Sequence, residues 1–137
     1  MTGFEVLGTR SFHRPLGEMT FQQGVELVAR GLAHARALEL DDILVDTTGL
    51  AGFEPPCVFD RYAMITRWVK CAGLALRIAV VTRPPFIDAQ RLGVLIAQNR
   101  GASIEVFTGE AQALRWLDAW RLRSAGARCA RGRACGY

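Results

Sequence analysis

A chain of 137 residues is the size of one domain, because a chain this long buries roughly two thirds of its unfolded surface around a single core. Half of the residues are apolar and 22% are charged, the balance of a globular protein, which excludes disorder of the whole chain. The formal charge of +4 belongs to one end: five arginines and no acid lie from Arg121 onward, leaving twelve basic and thirteen acidic residues in the first 120 and no basic body for nucleic acid to track.

The N-terminus has no charged start followed by a long apolar run, and no apolar run approaches the roughly 18 residues of a membrane span, so a cytoplasmic protein that is not transmembrane is expected. Cys57, Cys71, Cys129 and Cys135 show no CxxC spacing, and free thiols are expected in a reducing compartment.

In chain order, Phe4 to Leu7 and Thr9 to Leu16 are short apolar stretches, broken by Gly8 and closed by Pro15 and Gly17. They predict two strands at a sheet edge, with His13 a surface or half-packed residue of the second. Thr20 and Gln23 have the spacing of a capping box, and Phe21, Val25, Val28, Leu32 and Ala35 then mark one face of a helix. Gly24 and Gly31 lie beside that face and each costs about 1 kcal/mol of helix propensity, which makes sense where the helix backbone packs closely on a sheet. His34 reads as a solvated helix residue.

The stretch from Asp42 to Pro56 is the centre of the pattern. A buried strand (Ile43, Leu44, Val45) meets Asp46, Thr47 and Thr48, turns through Gly49 and Gly52, and restarts at Pro55-Pro56. A helix from about Pro56 to Ala72 follows, with Val58, Tyr62, Ile65 and Val69 as its apolar stripe. Arg77 to Thr82 is a continuous β-branched run, as in a strand covered on both faces, and Arg83-Pro84-Pro85-Phe86 breaks it. Asp88 is placed to cap a helix through about Asn99 that Gly101 ends. Ser103 to Phe107 is the last strand. Thr108 is placed to cap a final helix in which Ala113, Trp116, Leu117 and Trp120 share a face.

This order predicts an α/β fold: a mostly parallel sheet of four to five strands, an antiparallel N-terminal edge, and about four helices joined by right-handed crossovers. Residues 1–120 form the expected domain, and 121–137, rich in Gly, Ala and Arg, an expected basic disordered tail. With LGEMT before the first helix, ILVDTTGL in the next strand, IDAQRLGVLIAQNRG from Ile87 to Gly101 and VFTGEAQALRWL from Val106 to Leu117, the chain resembles the STAS fold of anti-sigma factor antagonists. The closer resemblance is to the SpoIIAA-like group of small bacterial proteins, over about Phe12 to Leu117.

The resemblance implies a regulatory, protein-binding module. STAS antagonists carry a phosphorylatable serine at the start of the second helix. Here that place reads Gly52-Phe53-Glu54-Pro55-Pro56, with no hydroxyl, so a phosphorylation switch is not expected. Glu54 instead places a carboxylate near a helix N-terminus, where the helix dipole favours it.

If the strands are parallel, the loops after Asp46 and Thr82 open at one end of the sheet. Asp46, Thr47, Thr48, Arg83 and Phe86 would then line a crevice fit for a small polar, anionic or apolar ligand. The plainer reading is that Asp46 and the threonines satisfy turn amides while Arg83 is solvated.

No catalytic, phosphate-loop or metal-binding spacing is present, and neither enzyme activity nor a cofactor is expected. Cys57 near a helix start reads as a packed thiol. The expected function is a non-enzymatic interaction module with a protein partner, with a small-molecule or lipid-binding module as the alternative. A homodimer through Trp68, Trp116 or Trp120 is compatible with the sequence, and the arginine tail offers a weak pointer to nucleic acid.

Overall fold

The computed structural model describes the backbone of residues 2–87 and 91–134, and the side chains of those up to 123 apart from Leu92. Strands β1 (Phe4–Leu7), β2 (Arg10–His13), β4 (Asp42–Asp46), β6 (Arg77–Val81) and β7 (Ser103–Phe107) form a sheet in that spatial order. The pair β1–β2 is antiparallel and every other pair is parallel. Two short strands, β3 (Gly17–Glu18) and β5 (Leu50–Ala51), make a separate parallel pair. The expectation of an α/β fold with an antiparallel N-terminal edge is met, with the β3–β5 pair as an addition.

Helices α1 (Phe21–Ala37), α2 (Val58–Ala72) and α3 (Leu92–Asn99) are the crossovers from β2 to β4, β4 to β6 and β6 to β7. All three steps move across the sheet in one direction, so right-handed crossovers place all three helices on one face. The last helix, α4 (Glu110–Ala134), is bound by no crossover and covers the other face.

Strand alternation sorts the core accordingly. Ile43, Val45, Ile78, Val80 and Ile104 pack under α1, α2 and α3, while Leu44, Ala79 and Val81 pack under Ala113 and Leu117 of α4.

Thr20 makes the expected capping box, its side chain accepting from the Gln23 amide while Gln23 accepts from the Thr20 amide. Gly31 lets α1 close on β2, since a Cβ there would stand 2.4 Å from the His13 ring. His13 is fully buried and not half-packed. Its Nε2 lies 3.2 Å from the Leu27 carbonyl, and its Nδ1 is without a hydrogen-bond partner. Burial is the main cause that lowers its pKa below the ordinary value. His34 is exposed, edge-on to Phe4 at 4.7 Å.

Several boundaries differ from the sequence reading. Helix α2 begins at Val58 with Cys57 as its N-cap, and Cys57 is exposed, because the two prolines carry the chain in before the helix starts. Helix α3 begins at Leu92 with Arg91 in the left-handed conformation before it; Asp88, expected as its cap, lies outside the described residues. Helix α4 begins at Glu110, two residues beyond Thr108.

The helical backbone of α4 continues to Ala134, through most of the segment expected as a tail. Arg121, counted with that tail, belongs to the packed body: its guanidinium donates to both oxygens of Asp42, at 2.8 and 3.1 Å. Asp42 is only 2% exposed and also receives Arg10 at 2.8 Å, while Arg77 stands beside it in the register. The charged row Arg10–Asp42–Arg77 crosses three strands on the α4 face. Burial there lowers the Arg77 pKa to about 10, with its guanidinium 3.1 Å over the Trp120 ring. No helix of the described residues is long and apolar enough to cross a membrane.

Candidate functional site

The stretch from Asp42 to Pro56 divides at Thr47. Because side chains alternate across a strand, Asp46 falls on the α4 face with Asp42 and Leu44, whereas Thr47 follows Ile43 and Val45 to the face of α1, α2 and α3. The two neighbours therefore serve different neighbourhoods.

On the α4 side, Asp46 Oδ1 accepts from the Thr48 amide at 2.9 Å and from the Thr48 hydroxyl at 2.6 Å, a closed turn. This is the turn role weighed against ligand binding in the sequence. Nearby, Arg14 donates twice to Glu110, both bonds at 2.9 Å. Chiefly through this pairing, the pKa of the Glu110 carboxyl is held down at about 2. Glu54 is exposed in the loop before α2.

On the other side lies a cavity of about 120 Å³. Its floor is Val80, Ile104 and Val106 of the sheet. Its walls are Gly24, Val25 and Val28 of α1, and Met64, Ile65 and Trp68 of α2. Leu50 and a row of three aromatic rings cover one side: Phe21 meets Phe53 at 5.7 Å and Phe53 meets Phe86 at 5.7 Å, both edge to face.

Specific contacts hold the wall and its cover in place. Trp68 is buried and its indole N–H donates to the Val25 carbonyl at 3.0 Å, locking α2 to α1. The covering loop is pinned by the β3–β5 pair and by Gly52, whose φ of +100° and close approach to the Met19 backbone exclude any side chain.

Polar groups enter only at the loop end. The Thr47 hydroxyl donates to the Val81 carbonyl at 3.0 Å. Arg83 donates to the Leu50 carbonyl at 2.9 Å and stacks 5.2 Å over Phe86, while Arg61 donates to the Phe86 carbonyl at 3.0 Å. Arg91 reaches the same rim and pairs with Glu105. Among the described residues, the cavity has no acidic lining residue.

Of the six residues singled out in the sequence, the structure brings Thr47, Arg83 and Phe86 to this cavity and leaves Asp46, Thr48 and Glu54 outside it. The expected crevice lay between the loops after Asp46 and Thr82 at one end of a parallel sheet. The strand order never reverses, so the space opens instead between the sheet and one helical layer. Arg61, Phe21, Phe53 and Trp68 were missed as site residues. All four carried ordinary helix or loop signals, and only their convergence marks them.

Among the described residues no group of three or more His, Cys, Asp or Glu side chains is placed to hold a metal ion. Comparison with protein-family models, with curated proteins and with solved structures gives no match for this chain.

Proposed function

We propose that this protein is a non-enzymatic binding module of STAS-like layout, and that its work is to hold a small, largely apolar molecule between the sheet and helices α1 to α3. The observation that carries the reading is the cavity itself, lined by aliphatic and aromatic side chains with a few polar groups gathered at one end. That distribution is the usual one for a small-molecule site, in which apolar walls supply affinity and sparse polar groups fix orientation. The element order and the parallel sheet are those expected from the SpoIIAA-like resemblance and support the layout.

Calorimetric titration with octanol tests the reading, using Gly24→Leu as a plugged variant. A Cβ at Gly24 would sit 3.5 Å from Phe53 and 3.7 Å from Leu50, so the leucine fits the helix and its tip enters the cavity. Saturable binding by the wild type that the plugged variant loses is the expected result. Equal binding by both, or none by the wild type, contradicts it.

A second reading, the protein partner, has its own support on α2. Phe59 is 84% exposed, Val58 62% and Tyr62 48%, three large apolar side chains on the first turns of one helix. A partner docking there gives a complex in pulldown from native cytoplasm that Phe59→Asp loses. Recovery of the chain alone in both cases rules that surface out.

A further inference from the structure

Resting on the small-molecule reading above, we propose that the ligand is an amphiphile with one anionic head group, a carboxylate or phosphate, held by Arg61 and Arg83 while its apolar tail lies along Val25, Ile65 and Trp68.

Both guanidinium groups converge on one residue, Arg61 on the Phe86 carbonyl and Arg83 on the Phe86 ring. Their contacts to Phe86 and Leu50 are to carbonyl oxygens and an aromatic face, which orient a cation without cancelling its charge. Arg91, the third arginine of the rim, is matched by Glu105. Among the described residues no acid lines the cavity, and Arg61 and Arg83 set two positive charges at one end of an apolar space.

A charge beside apolar walls is screened less than one in open solvent, and an anion entering that end gains the most from it. The planar fork of arginine also fits carboxylate and phosphate oxygens in pairs, and each hydrogen bond to Phe86 or Leu50 uses one of five N–H donors. The opposite end is closed by Trp68, whose single N–H is already committed to Val25, so a polar group has nothing to bind there. A molecule with one charged end and one apolar end is the shape these two halves share.

Size sets the tail. The cavity of about 120 Å³ is several times the roughly 10–15 Å³ that a single water needs, which leaves room for an alkyl chain.

The test is calorimetric titration of the full chain with octanoate, octyl phosphate and octanol, which share a tail and differ in the head. Binding of at least one anion about tenfold or more tighter than octanol is expected, with the anion that binds identifying the head-group chemistry. Arg61→Gln with Arg83→Gln is expected to erase the preference, so that neither anion binds the double variant more tightly than octanol binds that same variant. Arg83→Lys, which keeps the charge and loses the fork, falls between.

Octanol binding as tightly as both anions, or an anion preference that survives the double substitution in a folded variant, overturns the head-group assignment and leaves the cavity standing. Failure of all three molecules to bind overturns the small-molecule reading itself.

Discussion

Asp46 and Thr47 illustrate how one position in a strand decides what a side chain can do. They share a sequence signal, a polar end to an apolar strand, yet the first closes a turn with Thr48 and the second faces the cavity. His13 obeys the same alternation. On β2 it points toward α1, where Gly31 leaves room for an imidazole and nothing more.

Because burial holds the His13 pKa below its ordinary 6.5, the unfolded chain takes up a proton more readily than the folded one. Stability is therefore full above that ordinary value and is lost as pH falls toward and through the lowered one. Denaturant unfolding of the wild type and His13→Leu between about pH 7.5 and about pH 5.5 checks this: the wild type loses more stability on acidification than the variant. Equal losses would show that the His13 environment does not favour the neutral ring.

Strand β4 was readable in the sequence, but its polar end was read as one crevice-lining group, and only the two faces of the sheet separate Asp46 from Thr47. The burial of His13 was not readable, because it depends on a glycine eighteen residues away in another element.

Among the elements, α2 shows most clearly what periodicity can and cannot disclose. Its stripe of Val58, Tyr62, Ile65 and Val69 identified a helix, but only its later part is covered. Ile65, Trp68 and Ala72 are buried against α1 and the sheet, whereas Val58 and Tyr62 remain exposed. A hydrophobic period names a face; it does not say how far along the helix a neighbour extends.

The two halves should therefore respond differently to truncation. Ile65→Ala is expected to cost about 2–5 kcal/mol and Phe59→Ala to stay within about 0.5 kcal/mol of the wild type, both read from denaturant midpoints. A large loss at Phe59 would mean the first turns of α2 are packed. The pair β3–β5 was illegible for a different reason: two residues per strand carry no alternation, and the pairing is visible only once Gly17 and Leu50 are brought side by side.

At the scale of the molecule, the strand order β1-β2-β4-β6-β7 has the widest consequence. Three crossovers in one direction load one face with three short helices and leave the other to α4 alone. The single-helix face is sealed by the Arg10–Asp42–Arg121 cluster and by Leu117, while the three-helix face encloses the cavity. The alternation of helices and strands made the parallel sheet legible. It did not make the cavity legible, because a void is the difference between what Trp68, Met64 and the phenylalanines fill and what the backbone spacing leaves.

The most direct test of the account follows the Trp68 indole N–H in a nitrogen–proton correlation spectrum during an octanol titration. Binding in the cavity predicts saturable shifts at that N–H and at the amides of Val25, Leu50 and Val80, with Ala113 and Leu117 on the far face unmoved. Shifts confined to the exposed turn at Phe59 and Tyr62, or none that saturate, would contradict it.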